Sequence, residues 1–364
     1  MSIDYNLSRW KLIKDSASKW WAGELDRPLL QVRLTGKNPS RKMPVIPHYD
    51  FASFYDLSIS AEQIVDRWDY DLSCIKYLGD AFPFVWPNFG PGIVAAFLGA
   101  DLKNGNNTVW FKPSQTQDIR DVRLEYNADN VWLGRIRAIL GAALKSWGGL
   151  VQIGFTDFGG ILDILASIRG TEQLLIDLYD HPEEVERLIW EIHNLWWKYY
   201  IEYENICLGI NPGYSSWEGL FSEQRYSILQ CDTIGMLSRD MVKHFVMPEI
   251  EASLSKFSNS FYHMDGPGQI VHLDPFLKLE KLKGIQWVPG AGQPDISNWP
   301  ELYQKIRSAN KLIQFFCFQY EGELETLLTI LKSQLGTLKG IACIVKADIS
   351  EESRLERMLD SFID

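Results

Sequence analysis

Eight short apolar runs, separated mostly by stretches of helical spacing, constrain this chain more than any other feature. They fall at 28–33, 81–86, 150–155, 226–230, around Phe261, and at 285–288, 312–318 and 341–345. Strands that alternate with helices build a parallel sheet, and eight such units read as an α/β fold of the (β/α)8 TIM-barrel type. A barrel of that kind takes roughly 250 residues. The 364 residues here leave length for an N-terminal helical extension and for a β-hairpin insertion. The extension is expected over 7–21, where Leu7, Trp10, Ile13, Ala17, Trp20 and Trp21 share a broad face. The hairpin is expected within about 100–125, at Asn104-Gly105-Asn106-Asn107 followed by Thr108-Val109-Trp110-Phe111. No composition shift marks a second domain, so residues 1–364 read as one unit with its barrel core over about 28–364.

Composition narrows the classes of partner. The net charge is −11 with no basic stripe, which argues against nucleic acid. No apolar run is long enough to span a bilayer, and the N-terminal stretch lacks a secretory apolar core. The five cysteines are scattered, with no CxxC pair, so neither a disulfide frame nor a thiolate zinc knuckle is expected. These features together predict a cytoplasmic protein acting on a small molecule.

Polar residues gather where the runs end, which in a barrel is where the site lies. The ends carry Arg33, Trp86 with Asn88, Asp157, Asp232, His263 with Asp265, Gln286 with Trp287, Gln319 and Asp348. Residues two apart on a strand share a face, so His263 and Asp265 are expected to project together. Such a pair on an apolar strand is costly to bury without a partner, ligand or metal. These two are the candidate catalytic residues. Arg33, Asp157, Asp232 and Gln286 are candidate substrate-binding residues, with Trp86, Trp217 and Trp287 as apolar walls. Each also has a plainer reading. Asp157 or Asp348 could cap the next helix, and the tryptophans could pack under loops.

The chain resembles the uroporphyrinogen decarboxylase superfamily, which includes cobalamin-linked methyltransferases. The resemblance rests on Gly170-Thr171-Glu172-Gln173-Leu174-Leu175, His181-Pro182-Glu183-Glu184-Val185, Gln230-Cys231-Asp232 with Leu237-Ser238 and Pro248, and His263-Met264-Asp265-Gly266. It runs from about Pro28 to the C-terminus. It implies methyl transfer with a corrinoid protein or a small methylated compound, a divalent metal such as zinc, and a homodimer. In the superfamily's methyltransferases zinc is held by a His-x-Cys pair on this strand and a further Cys near the last. Here Asp265 and Asp348 stand near those places, giving His263, Asp265 and Asp348 as a harder, oxygen-rich ligand set. Decarboxylation of a carboxylated ring is the alternative reaction. There the family's Arg-Gln-Ala-Gly-Arg becomes Arg33-Leu34-Thr35-Gly36-Lys37, with Arg33 and Lys37 gripping carboxylates, and the Pro-Trp-Thr loop after the third run is missing. A non-catalytic barrel that binds a corrinoid or a methylated amine is a third reading. A glycosidase would need a carboxylate pair, and the seventh run ends in Gln319.

Overall fold

The computed structural model describes residues 3–362. All eight predicted runs form strands, joined by three that were not among them. In chain order the strands are β1 Leu29–Thr35, β2 Ile75–Gly79, β3 Phe84–Val85, β4 Asp101–Asn104, β5 Val109–Lys112, β6 Gln152–Ile153, β7 Tyr226–Gln230, β8 Asn259–Asp265, β9 Gly284–Val288, β10 Leu312–Phe316 and β11 Ile341–Asp348. The main sheet runs β2-β1-β11-β10-β9-β8-β7, parallel throughout except for β2, which lies antiparallel against β1. Helices fill the connections, giving a mixed α/β chain around one apolar core.

Among the described residues no ladder carries the main sheet round to β3 and β6, which pair only with each other. The residues between β6 and β7 explain the break on one side. Asn211 accepts the Ile153 N–H at 3.0 Å, and the Ser215 carbonyl accepts the Phe155 N–H at 2.8 Å. Segment 211–222 therefore takes the edge of β6 that a neighbouring strand would otherwise use. It folds back on itself, with Tyr214 bridged to Ser222. On the other side β2 occupies the free edge of β1.

The N-terminal helix Arg9–Trp21 closes the end of the sheet where the strands begin. Its indole N–H groups donate to backbone carbonyls there: Trp10 to Leu150 at 3.2 Å, Trp20 to Ile341 at 3.2 Å and Trp21 to Phe221 at 2.8 Å. Each indole is buried with its polar atom satisfied, as a tryptophan in a core requires. The strands' C-terminal ends remain open on the opposite side. The hairpin β4–β5 stands on that side, pairing Asp101 with Lys112 through Asn104 with Val109. Among the described residues no helix is long and apolar enough to cross a membrane.

Candidate functional site

Register assembles the site. Gln230, His263, Gln286 and Gln314 are direct partners across β7, β8, β9 and β10, so they form one polar row inside an apolar sheet. His263 is 8% exposed, and Gln286 and Gln314 are fully buried. His263 Nδ1 lies 2.6 Å from Gln286 Oε1, Gln286 Nε2 donates to Gln314 Oε1 at 3.1 Å, and Gln314 Nε2 donates to the Glu218 carbonyl at 3.0 Å. A backbone carbonyl can only accept, and that fixes the direction of the whole chain. Gln314 must turn its NH2 to Glu218, Gln286 must turn its NH2 to Gln314, and His263 must carry its proton on Nδ1. Nε2 is left with its lone pair. Burial lowers the His263 pKa against the pull of Asp265 and Gln286, which favours the neutral ring.

Two carboxylates face that ring. Asp265 ends β8 two residues beyond His263, and Asp232 follows the end of β7. One ligand atom from each of Asp232, His263 and Asp265 lies within 4.8 Å of the others. Both aspartates are exposed to solvent while the imidazole is buried. Asp232 is held by Asp163, an aspartate in the first turn of helix Ile161–Arg169. Asp163 accepts the Asp232 N–H at 2.8 Å, and the Thr233 N–H and hydroxyl at 2.8 and 2.7 Å. Desolvation together with the charges of Asp163, Asp265 and Asp157 pushes the Asp232 pKa up to about 8. Solvent reaches this residue, so water tempers the burial contribution, while the three like charges act in the same direction. Crowded carboxylates beside an imidazole lone pair suit a divalent cation with mixed N and O ligands.

The predicted residues divide into those that meet here and those that do not. His263, Asp265, Asp232 and Gln286 meet. Trp217 stands edge-on to the His263 ring at 5.0 Å and forms a wall. Asp157 is buried beside this group: it accepts the Gly159 N–H at 2.9 Å and an N–H of the Gln230 amide, its charge reaches Asp232, and desolvation raises its pKa to about 7. Asp348 is outside the ligand group. It accepts the N–H and hydroxyl of Ser350 at 3.0 and 2.7 Å, capping the turn Ile349–Glu351, and Asp232 takes the third place. Trp287 is fully buried against Trp299 at 5.0 Å, because its neighbour Gln286 claims the opposite face of β9. Arg33 and Trp86 line a separate pocket at the ends of β1, β3 and β11.

Two residues that hold the site's geometry, Asp163 and Gln314, are not among those expected from the sequence. Asp163 had a signal in the Gly159-Gly160 pair followed by an acid in a first helical turn. Gln314 had one in a lone amide within an apolar strand. A cavity of about 460 Å³ opens beside Asp232, with Val109 and Trp110 of the hairpin, Gln230 and Met236 in its lining.

No protein-family model matches the chain, and no curated protein matches it. Thirteen chains of known structure do. One is a methyltransferase from Methanosarcina mazei, similar over 97% of this chain and 99% of that one, with a TM-score of 0.59 and 11% sequence identity. At that identity the likeness is one of fold.

Proposed function

We propose that the chain is a divergent methyltransferase of the uroporphyrinogen decarboxylase superfamily. In this reading the eight parallel strands form a (β/α)8 barrel, and a methyl group passes between a small methylated compound or a corrinoid protein and an acceptor held at His263. The observation that carries the reading is the Asp232, His263 and Asp265 group at adjacent strand ends, with ligand atoms within 4.8 Å of one another. The fold shared with a methyltransferase over 97% of the chain supports it.

His263 would hold a divalent ion through Nε2, and Asp265 and Asp232 through one oxygen each. A bound ion of that kind lowers the pKa of an acceptor thiol, amine or water. The chain's own residues supply the rest. The glutamine row keeps the imidazole proton on Nδ1, so Nε2 always presents its lone pair. Asp163 anchors the Asp232 backbone and sets the carboxylate's reach. Desolvation and the charges of Asp163, Asp265 and Asp157 raise the Asp232 pKa, and a bound cation would oppose that shift. Trp217 packs edge-on against the ring and walls it on that side. The cavity beside Asp232, walled by Trp110, suits a methylated group, including a cationic one through its indole face.

Metal analysis of purified protein tests the reading. The wild type should carry a stoichiometric divalent ion, and His263→Ala and Asp232→Asn should lose it. Loss of methylcobalamin absorbance on adding a thiol or amine acceptor should follow the metal content. A metal-free wild type removes the metal version. Carbon dioxide release from a porphyrinogen would favour the decarboxylase, although Lys37 is tied to Asp4 at 2.6 Å and does not line the Arg33 pocket. Tight binding without turnover would favour a binding barrel.

A further inference from the structure

A second chain of polar side chains lies away from the candidate site, between the helices Pro182–Cys207 and Met247–Leu254, and the proposed methyl transfer makes no use of it. His193 on the first helix is buried, as are Glu249 and Ser253 on the second. His193 Nδ1 lies 3.0 Å from Glu249 Oε1, and the Ser253 hydroxyl donates to the same oxygen at 2.6 Å. Lys256, two residues beyond the second helix, brings Nζ to 3.2 Å from His193 Nε2. A carboxylate only accepts, so Nδ1 carries the ring proton and Nε2 turns its lone pair to Lys256. The Lys256 Nζ also stands 4.5 Å from the centroid of Trp197, one helical turn beyond His193. Lys256 itself is exposed, so a small reagent can reach the amine while the imidazole behind it is buried. Burial lowers the Lys256 pKa against the pull of the Glu249 charge, which enlarges the share of free amine. A lysine placed only to neutralise Glu249 would meet the carboxylate, but here an imidazole stands between them. An amine, an imidazole within hydrogen-bond reach and a carboxylate that orients the imidazole make a nucleophile, its base and the base's support.

We infer that Lys256 is an acylation site, taking the acyl group of an activated donor, an acyl phosphate or a thioester. The neutral amine attacks the acyl carbon and a C–N bond forms. The C–O bond to phosphate or the C–S bond to the thiol breaks, and the leaving group departs with the electron pair. The surplus amine proton passes to His193 Nε2, and Glu249 holds the resulting imidazolium until water takes the proton. The product is a neutral amide, so the face beside Trp197 loses one positive charge. Neither a metal nor His263 takes part, and the assignment stands apart from the methyl-transfer reading.

Treating the full chain with acetyl phosphate, and in a parallel arm with S-acetyl-N-acetylcysteamine, tests the site. Peptide mass spectrometry reads the acetylation rate lysine by lysine. In at least one arm Lys256 should react about tenfold or more faster than the exposed lysines Lys243 and Lys278, a modest share of what a positioned base contributes. The arm with the larger ratio identifies the donor class. His193→Gln should bring Lys256 down to the rate of the other two and leave theirs unchanged, and Glu249→Gln should fall between. Unfolding the wild type in urea gives the same comparison without a variant, since the three lysines should then react alike. Lys256 reacting no faster than Lys243 and Lys278 in both arms, an unchanged Lys256 rate in a folded His193→Gln protein, or a rate advantage that survives in urea would overturn the assignment.

Discussion

Replacing Gln314 with leucine should release the imidazole of His263 from its single tautomer. In the wild type, moving the proton to Nε2 requires Gln286 to turn its oxygen away from the ring. That oxygen then faces Gln314 Oε1, now 3.1 Å from the Gln286 nitrogen. Turning Gln314 as well only transfers the conflict to the Glu218 carbonyl, 3.0 Å from the Gln314 nitrogen. Wherever the reversal stops, two acceptors meet in a buried row. A buried group without its hydrogen bond costs about 1–3 kcal/mol, which holds the Nδ1–H tautomer at roughly fivefold to 150-fold excess. Leucine at 314 removes the conflict and frees Gln286 to turn, so both tautomers should be populated. It also leaves the Gln286 NH2 and the Glu218 carbonyl without partners, so a lower melting temperature is expected. Long-range proton–nitrogen correlation on histidine-labelled, metal-free protein near neutral pH reads the two ring nitrogens directly. The lowered His263 pKa keeps the ring neutral there. A wild type with its proton on Nε2, or a Gln314→Leu protein with an unchanged single tautomer, would refute the reasoning.

Stability should fall as pH rises. Glu218 is 1% exposed, and desolvation raises its carboxyl from 4.5 to about 7 in the folded chain. Between those values the folded state binds more protons than the unfolded one, so its contribution is complete below the lower value and is lost as pH rises through about 7. Glu218→Gln should flatten the profile between about pH 4 and pH 8 by at most roughly 3 kcal/mol, measured by urea unfolding. A profile unchanged in Glu218→Gln would exclude this residue as a source of the slope. Gly160→Ala should destabilise by about 1–3 kcal/mol, because a methyl there collides with the Gln230 carbonyl and lies 2.5 Å from Asp163 Oδ2. It should also weaken metal binding by moving Asp163, whereas Gly141→Ala, which meets nothing within 4 Å on an exposed helix position, should stabilise slightly.

Much of the fold could be read from local pattern. Apolar runs, caps and turn residues act over a few neighbours, which is why all eight runs and the hairpin appear where the sequence places them. The pairing of His263 with Asp265 follows from strand geometry alone. Other features depend on contacts remote in sequence. Nothing near 75–79 says that β2 turns antiparallel against β1. Gln286 as a substrate-binding residue and Trp287 as a wall of the same pocket would both need one face of β9, but adjacent strand residues diverge. The plainer reading of Asp348 as a cap holds, and Ser350 two residues on was its signal. Asp232 and Lys346 acquire their neighbours only through the register of separate strands. Segment 214–222 belongs to none of the eight apolar runs, yet it is largely buried and serves the interior.

That segment ties Arg33 on β1 to His263 on β8. The Glu218 carbonyl terminates the row that orients His263, and the next carbonyl, Gly219, accepts from Gln31, the residue whose amide oxygen receives Arg33. Two consecutive peptide units therefore set the aim of a cation on one rim and of an imidazole on the other. A displacement of this turn would shift both side chains together.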